Sequence, residues 1–381
     1  MAPRSIAELR RMAQQRLPRL VFDYVEGGAW RQHTLRANRE ALAGWHLRPR
    51  QLVDVSHRRL DTRLIGQDVA LPLVLSPVAL GGMLWADGER HCARAAARAG
   101  VPYVHATLSI DCIENVAAAT TRPPWFQLYL LRDRDLSERL MARAWRAGCR
   151  VLMVTIDMPL LADHLHSTRR GLRLPPPAVA SLAWDLARHP AWLYRHLQRG
   201  KLGLGNLEGA LTGINGLAGL NAWLDANLDP SLTWKDLAWV RKRWDGALVV
   251  KGILEPDDAQ LAAEVGAEAV VVSNHGGRQL DGAQASIAAL PGVVDAVGQR
   301  MEVHVDGGFR SGQEILVALA LGARAVHIGR PYLYGLGARG RPGVEHSLAI
   351  LHRELDLTLA LCGRRSLEEV DETLLARRGY R

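Results

Sequence analysis

The 381-residue sequence predicts an α/β fold, a TIM (β/α)8 barrel with an N-terminal helical lead-in and a long insertion after strand 4. Eight short apolar runs, bounded by turn residues, alternate with helical patterns of Ala, Leu and Arg. The runs are continuous in Val, Leu and Ile, which is typical of parallel strands buried on both faces. Polar residues gather where the runs end, as on the active-site face of a barrel.

The predicted strands follow one another along the whole chain. They are 71–79, 103–107, 125–130, 151–157, 247–253, 269–275, 302–308 and 325–330, with helical segments at 87–99, 137–147, 256–265 and 311–321 between several of them. No G-x-G-x-x-G motif follows the first strand, so the sequence lacks the dinucleotide fingerprint that would support a doubly wound sheet. We expect one domain over residues 1–381, with 158–246 as an insertion and active-site loop region within it.

The insertion is the segment that departs from the repeat. Roughly ninety residues separate Asp157 from Ala247, where a βα loop, a helix and a return need about thirty to forty. Its 175–201 part interleaves Trp184, Trp192 and Tyr194 with arginines. Two interpretations stay open for this part: an interfacial amphipathic helix on anionic lipid, or a surface helix packed on the barrel or on another subunit.

The composition is that of a globular protein, with 48% hydrophobic and 23% charged residues. The formal charge of +9 comes from arginines scattered along the chain, which is typical of a solvated face, with an anionic partner as the alternative. Four cysteines (92, 112, 149 and 362) lack C-x-x-C spacing, so neither a disulfide framework nor a metal site is expected. The N-terminus lacks the apolar core of a signal peptide, which predicts a cytoplasmic protein.

The stretch Ser273-Asn274-His275-Gly276-Gly277-Arg278-Gln279-Leu280-Asp281-Gly282 closes the sixth predicted strand. A histidine there is a natural general base, and the planar guanidinium of Arg278 suits a carboxylate. The two glycines are expected to let the backbone approach a ligand closely. The pair His275 and Arg278 predicts proton abstraction from a substrate anchored by its acid group.

A second informative region follows strands seven and eight. It reads Asp306-Gly307-Gly308-Phe309-Arg310-Ser311-Gly312 and, further on, Ile328-Gly329-Arg330. Glycines and arginines at these two places match the phosphate site common to TIM barrels. We therefore expect a phosphorylated cofactor or substrate.

Taken together, these residues resemble the FMN-dependent α-hydroxy acid dehydrogenases and oxidases. The resemblance runs from residues 22–29 (Phe-Asp-Tyr-Val-Glu-Gly-Gly-Ala) through 125–129 (Trp-Phe-Gln-Leu-Tyr) to 328–330, and so covers nearly the whole chain. The 273–282 motif is highly specific, whereas 306–312 is shared in looser form by other phosphate-binding barrels. Residues 234–237 (Trp-Lys-Asp-Leu) and 244–246 (Trp-Asp-Gly) look most like the bacterial, membrane-associated respiratory L-lactate dehydrogenase branch.

The resemblance implies a role for each matching residue. His275 is the implied base, Asp157 the carboxylate that stabilises its imidazolium, and Tyr129 the hydrogen-bond donor to the reacting oxygen. Arg278 and Tyr24 are the implied clamp on the substrate carboxylate. The implied contacts with the FMN ring are the backbone at Pro77, Val78 and Ala79, the residues Ala106, Gln127, Thr155 and Ser273, and Lys251, which is expected beside flavin N1/O2. The implied contacts with the ribityl chain and the phosphate are Asp306, Gly308, Arg310, Gly329 and Arg330.

The sequence also departs from the family pattern. His164 stands where the family has a substrate-binding arginine, in the run Ala162-Asp163-His164-Leu165-His166-Ser167. Ala106 replaces a flavin-contacting serine and follows an unusual His105. A changed substrate, neutral drift in a loop and reduced activity are the three explanations that remain open.

The resemblance implies oxidation of a lactate-like L-2-hydroxy acid to the 2-oxo acid, by hydride transfer to FMN. It further implies a quinone, a protein or oxygen as electron acceptor, and a homotetramer. Under the lipid interpretation of 175–201 given above, that segment contacts the inner face of the cell membrane peripherally. No segment is a candidate nucleic-acid site. Two alternatives stay open: an oxygen-using oxidase of a bulkier aryl or specialised hydroxy acid, permitted by Leu108, and a non-redox phosphate-binding barrel.

Overall fold

The computed structural model describes residues 2–163, 183–199, 203–211 and 216–377. Its N-terminal lead-in consists of three helices, α1 (Ile6–Arg16), α2 (Arg19–Glu26) and α3 (His33–Ala43). The hydroxyl of Ser5 accepts a hydrogen bond from the backbone N–H of Glu8 and so starts α1 at a side-chain cap. Strand β1 (Trp45–Leu47) then pairs antiparallel with the last strand, β12 (Leu375–Arg377), which ties the two ends of the chain together.

A barrel of eight parallel strands forms the centre of the molecule. The strands are β4 (Leu73–Leu75), β5 (Val104–Ala106), β6 (Trp125–Leu128), β7 (Val151–Thr155), β8 (Ala247–Ile253), β9 (Ala269–Val272), β10 (Glu302–Val305) and β11 (Ala325–Ile328). They are hydrogen-bonded in the order β4, β11, β10, β9, β8, β7, β6, β5. A parallel bridge between Leu75 and Tyr103 joins β4 to β5 and closes the ring. The predicted TIM barrel is confirmed.

Helices cover the outside of the barrel. They are α4 (Gly88–Arg98), α5 (Ile113–Ala118), α6 (Arg134–Arg146), α7 (Pro190–Arg199), α8 (Gly216–Asn227), α9 (Trp234–Arg241), α10 (Pro256–Glu264), α11 (Ser286–Val297), α12 (Gly312–Ala320), α13 (Arg330–Arg339) and α14 (Arg341–Leu361). Polar caps set several of their starts: Asp133 accepts from the backbone of Leu136, and Ser311 accepts from that of Glu314. In the described part of the chain no helix has the length and apolarity needed to cross a membrane.

Two apolar cores hold the barrel. The larger lies between the strands and the helices, and the smaller fills the inside of the barrel with residues such as Val74, Trp125, Met153 and Val271. A hairpin of β2 (Thr62–Leu64) and β3 (Gln67–Val69) contributes Leu64 and Val69 to the inner core and covers the N-terminal end of the barrel, called here the floor. The interior is therefore packed, and a ligand site can form only above it.

The observed strands are shorter than predicted at their C-terminal ends. β4 ends at Leu75, for example, where the apolar run continues to Ala79, and β9 ends at Val272, where the motif residues continue to His275. One more backbone bond to a neighbouring strand follows each end, from Ser76 to Ile328 O and from Ser273 to Ile253 O. The residues beyond the strand ends therefore belong to loops that surround the mouth of the barrel.

The insertion contributes α7, α8 and α9 to the described structure. Asp236 and Thr233 form a capping box at the start of α9, which matches the polar residues before its apolar run. Leu220 and Leu224 of α8 line the mouth of the barrel. Residues 164–182 and 200–202 lie outside the described residues, so the predictions for His164 and for much of 175–201 have no structural outcome.

Candidate active site

A cavity of about 490 Å³ opens at the C-terminal ends of the barrel strands. Most of the sequence-predicted site residues line it: Tyr24, Pro77, Val78, Ala79, Ala106, Tyr129, Lys251, His275, Arg278, Asp306, Gly308, Arg310, Gly329 and Arg330. The other four adjoin this lining: Gln127 and Thr155 pair in the sheet with Ala106 and Lys251, Asp157 is bonded to His275, and Ser273 is bonded to Lys251. The structure thus brings together residues that are spread over more than three hundred positions of the sequence.

His275 and Asp157 form a hydrogen-bonded pair beside this cavity. Nδ1 of His275 is 2.9 Å from Oδ1 of Asp157. Because the carboxylate only accepts, Nδ1 carries the proton and Nε2 of His275 is left as a free lone pair. His275 has a φ of +57°, which is uncommon for a residue other than glycine and is held by the bond from its N–H to the hydroxyl of Ser273.

The charge of Asp157 is supported by its surroundings. Burial opposes ionisation of this carboxyl, but the neighbouring His275 and Lys251 outweigh burial and hold the pKa of Asp157 below its usual value. The carboxylate reaches its position because Gly252, with a φ of +113°, packs against it. A Cβ atom on Gly252 would lie 2.6 Å from Cβ of Asp157.

Arg278, Tyr24 and Tyr129 lie around the mouth of the same cavity. Nη1 of Arg278 donates to the carbonyl oxygens of Tyr24 and Gly27, both at 2.8 Å, and the guanidinium lies 5.1 Å from the centre of the Tyr24 ring. The Tyr24 hydroxyl donates to the carbonyl of Ala79 at 3.0 Å. Burial, and then the charge of Asp157, raise the pKa of Tyr129, so its hydroxyl remains a proton donor at neutral pH.

Lys251 is a buried cation on the barrel side of the cavity. Its ammonium donates to the hydroxyl of Ser273 at 2.9 Å and lies 3.4 Å from Oδ2 of Asp306. Burial opposes its charge, but Asp306 and Asp157 outweigh that effect and raise the pKa of Lys251. A fixed positive charge at this place favours any negative charge that develops in the cavity.

Within the described residues, buried polar atoms of Gln127, Thr155 and Asp306 have no hydrogen-bond partner. They are Nε2 of Gln127, Oγ1 of Thr155 and Oδ1 of Asp306. Oε1 of Gln127 accepts from the backbone N–H of Thr107, so only the amide nitrogen of that side chain is open. Buried polar groups are almost always paired in folded proteins. The open donor and acceptors fit a polar ring edge such as that of a flavin.

At the opposite end of the cavity lie two arginines that the sequence assigned to phosphate. Arg330 donates from all three nitrogens to backbone carbonyls, those of Val25, Gly276 and Gly27. Burial, followed by the charges of Arg310 and Arg278, lowers the pKa of Arg330 to about 9. The guanidinium stays charged at neutral pH, yet it also holds the N-terminal lead-in against the 273–278 loop, a use that the sequence did not indicate.

Glycines complete this end of the cavity. Gly308 has a φ of +94°, and a Cβ there would lie 2.9 Å from the carbonyl oxygen of Asn38. Gly329 caps the N-terminus of α13, whose first turn begins with Arg330. A helix N-terminus with two neighbouring arginines fits a phosphate group.

Gly277, predicted with Gly276 to let the backbone approach a ligand, packs closely against the helical lead-in. A Cβ atom on Gly277 would lie 2.6 Å from the backbone nitrogen of Leu35, and its carbonyl accepts from the N–H of Ala29. This glycine therefore permits close packing against the helical lead-in.

His105, predicted beside a lost flavin contact, is fully buried and is hydrogen-bonded at Nε2 by the Asn206 amide at 3.2 Å.

Sequence reasoning missed other residues that shape the site. Asn38 and Asn274 exchange two hydrogen bonds, at 2.9 and 2.8 Å, which fix the motif loop against α3. No sequence signal points to Asn38, because the pair is formed only in the folded chain. His327 also lines the cavity. Its inward position two residues before Gly329 on a predicted strand was a signal that could have found it.

The family model for FMN-dependent dehydrogenases matches residues 13–377. The chain belongs to this FMN-dependent dehydrogenase family. The L-lactate dehydrogenase of Caulobacter vibrioides (strain NA1000 / CB15N) is 46% identical over 378 residues, 98% of each chain. That of Alcaligenes faecalis is 41% identical over 377 residues, again 98% of each.

Solved structures of family members have the same fold. The crystal structure of the monotopic membrane protein (S)-mandelate dehydrogenase matches with a TM-score of 0.93 at 35% identity, over 99% of this chain and 100% of that one. Mandelate oxidase with (S)-4-hydroxymandelic acid matches with a TM-score of 0.85 at 37% identity, over 99% of both chains. The protein is an FMN-dependent oxidoreductase of 2-hydroxy acids. The alternative of a non-redox phosphate-binding barrel is thus wrong.

Proposed function

We propose that this family member oxidises L-lactate, or an L-2-hydroxy acid close to it, to the 2-oxo acid with His275 as the base. The observation that carries the proposal is the 2.9 Å bond between His275 and Asp157, next to Arg278 at the mouth of the cavity. It supports the proposal because the open Nε2 of His275 suits a base and the neighbouring guanidinium suits a carboxylate. An α-hydroxy acid has those two groups on adjacent carbons.

The substrate carboxylate binds to Arg278, whose Nη1 is already held by two carbonyls and therefore needs little further ordering. Tyr24 lies under the same guanidinium and Tyr129 donates to the reacting oxygen. Nε2 of His275 then takes the hydroxyl proton, and the negative charge of Asp157 stabilises the imidazolium that forms.

FMN in this cavity supplies the hydride acceptor for the hydrogen on the hydroxyl-bearing carbon. The open amide of Gln127, the hydroxyl of Thr155 and the free oxygen of Asp306 are proposed to hold its polar groups. We propose that the phosphate is held by Arg310, Arg330, Gly308 and the N-terminus of α13 at Gly329. Ser273 keeps Lys251 in place through its hydrogen bond. The backbone of Pro77–Ala79 and the side chain of Ala106 form one wall of the FMN site.

L-Lactate is proposed as substrate because relatives at 41–46% identity over 98% of the chain are named for it. A second candidate is an aryl hydroxy acid, favoured by an apolar wall of Leu108, Leu161, Leu220 and Leu224. Anaerobic stopped-flow mixing with L-lactate, D-lactate, glycolate and (S)-mandelate, followed by the flavin absorbance, tests the choice. Fastest bleaching by L-lactate supports the proposal, and fastest bleaching by (S)-mandelate contradicts it in favour of the aryl substrate.

We further propose that reduced enzyme passes its electrons to a quinone at the inner face of the cell membrane, with α7 as the contact. One side of α7 is bound to the barrel: the Trp192 indole donates to Met83 O at 2.8 Å, and Arg195 lies 3.9 Å from the centre of the Trp85 ring. Tyr194 and Leu197 are 62% and 70% exposed. An apolar, basic surface beside the active site suits an anionic bilayer.

Flotation of the enzyme with vesicles of anionic lipid tests this contact. The pair Tyr194→Ser and Leu197→Ser should lose vesicle binding and quinone reduction while substrate still bleaches the flavin. Leu361→Ser, at a leucine 73% exposed on α14, is the matched control. Equal vesicle binding by wild type and the double variant would contradict the membrane proposal. Faster reoxidation by oxygen than by quinone would contradict the proposed electron acceptor.

The homotetramer is a prediction of the family resemblance, checked by light scattering on the purified enzyme.

A further inference from the structure

A second set of titratable groups lies inside the barrel, below the cavity and apart from His275. Glu302 and His304 lie on β10 and His327 on β11. Nε2 of His304 is 3.0 Å from Oε2 of Glu302, and Nδ1 of His304 is 2.9 Å from Nε2 of His327. His304 and His327 are 0% and 1% exposed. We call these three residues the histidine chain.

The histidine chain runs from the floor of the barrel to the cavity. At the floor, the side chain of Glu302 is 27% exposed, and its Oε1 accepts from the backbone N–H of Ile65 in the β2–β3 hairpin at 2.8 Å. At the other end, His327 lines the cavity. The register pairs His304 with Ala325. Because every second side chain of β11 points inward, His327 is the next inward residue after Ala325 and lies closer to the cavity.

The hydrogen bonds determine where each proton sits. The Glu302 carboxylate only accepts, so Nε2 of His304 carries a proton and its Nδ1 accepts. Nε2 of His327 must then donate to that Nδ1. Nδ1 of His327 is left as a lone pair, and it is buried with no hydrogen-bond partner in the described part of the chain. It is the open proton-binding position of the chain.

Several charged groups face this position. Lys251 approaches from β8, with Asp306, the residue after β10, as its ion-pair partner, while Glu302 is the charge on the floor side. The neighbour from β6 is the uncharged ring of Trp125, 6.5 Å away between ring centres. Burial, and then the neighbouring His304 and Lys251, hold the pKa of His327 well below its usual value. His327 is therefore neutral at neutral pH as long as no further negative charge lies beside Lys251.

We propose that Glu302, His304 and His327 form a redox-linked proton site, which binds one proton from solvent at Nδ1 of His327 when the bound FMN is reduced. The inference rests on the proposed position of FMN next to Lys251. A negative charge gained by the cofactor there offsets the charge of Lys251, and so favours protonation of His327. The Glu302 carboxylate, at the far end of the chain, stabilises the imidazolium.

The protons and electrons balance over a turnover. The substrate supplies two electrons and one proton as hydride, and its hydroxyl proton goes to His275. The additional proton comes from solvent, forms one N–H bond at Nδ1 of His327, and returns to solvent when the electrons leave. The consequence is a reduction potential that rises more steeply as pH falls than the flavin alone would give.

Two variants test the histidine chain without leaving a buried hydrogen-bonding group unpaired. His304→Phe combined with His327→Phe replaces both rings by rings of similar size and removes both members of the buried hydrogen bond. Glu302→Gln keeps the side-chain oxygen that accepts from the backbone N–H of Ile65, but its amide NH₂ group then donates to Nε2 of His304. That reverses every hydrogen bond of the chain and puts a proton on Nδ1 of His327, so no open position remains.

The experiment measures proton uptake during anaerobic photoreduction of the FMN-loaded enzyme, with a pH indicator in weakly buffered solution between about pH 5 and 8. Wild type should bind two protons per two electrons in the acid part of this range, and both variants one. The spectrum of the reduced flavin should be anionic in all three, which shows that the second proton is not on the flavin. One proton in wild type, or two in Glu302→Gln, would overturn the proposal.

Photoreduction needs no substrate, so this test does not depend on the identity of the hydroxy acid. Failure of L-lactate to bleach the flavin would contradict the proposed function and leave the proton count unaffected. If the double Phe variant loses FMN, Glu302→Gln alone decides the outcome, since its side chain has the size of the original.

Discussion

Nδ1 of His275 lies 2.9 Å from Oδ1 of Asp157, although the two residues are 118 positions apart in the chain. The bond joins the loops after β9 and β7, on opposite sides of β8. It fixes the tautomer of the histidine and leaves Nε2 open toward the cavity. This relationship gives the base its orientation, and the first prediction tests it.

Asp157→Asn should slow flavin reduction by the hydroxy acid and move the acid limb of the rate profile to lower pH by about one unit or more, because an imidazolium without its carboxylate is less stable. Asp157 itself keeps its charge well into the acid range, since its pKa is lowered by His275 and Lys251 against the effect of burial. Stopped-flow reduction across pH measures both effects. An unchanged profile would mean that Asp157 only fills space.

Lys251→Met should lower the reduction potential of the bound FMN, because it removes the cation where negative charge develops. It also leaves the buried carboxylate of Asp306 without its ion-pair partner, at a cost of about 3–5 kcal/mol of stability. Equilibrium reduction against a dye of known potential is the measurement. Lys251→Arg keeps the charge and serves as the control; equal potentials for both variants would remove the electrostatic role.

Gly252→Ala should lower both stability and the rate of flavin reduction, since its Cβ would lie 2.6 Å from Cβ of Asp157 at a φ of +113°. Gly282→Ala is a matched control, with a φ of +90° and open space around the new Cβ. Backbone strain of about 1–3 kcal/mol applies to both variants in urea unfolding. Only Gly252→Ala should slow reduction. Equal loss of rate in both would show that contact with Asp157 is irrelevant.

His105 should make the fold sensitive to acid. Its pKa is lowered from 6.5 to about 4, chiefly by burial. Between these values the unfolded chain binds the proton that the folded chain excludes, so stability falls as pH falls, by about 3 kcal/mol over the interval. Urea unfolding of wild type and of His105→Gln across this range measures the effect. Parallel curves for the two proteins would show that His105 does not contribute.

Much of the fold was predictable because its signals are local. A buried parallel strand is a continuous apolar run, and its C-terminal end faces the site in every barrel, so His275, Lys251 and Asp306 could be placed from the sequence. The match to a known motif then supplied roles that spacing alone does not give.

The remaining features depend on contacts between distant segments. Asn38 meets Asn274 from 236 positions away, and Arg330 donates to carbonyls of the lead-in, which no local pattern indicates. The contact of His304 with His327 requires the register of β10 and β11. Such contacts are set by how the helices and loops pack on the barrel.

The most direct test of the account is single-turnover reduction of the flavin in His275→Asn. Asparagine tolerates the positive φ of His275 but supplies no base, so FMN should remain bound. With L-lactate under anaerobic conditions, the flavin absorbance of wild type should fall rapidly. That of the variant should fall about 10² to 10⁴ times more slowly. Reduction of the variant at the wild-type rate would contradict the role of His275 and, with it, the proposed mechanism.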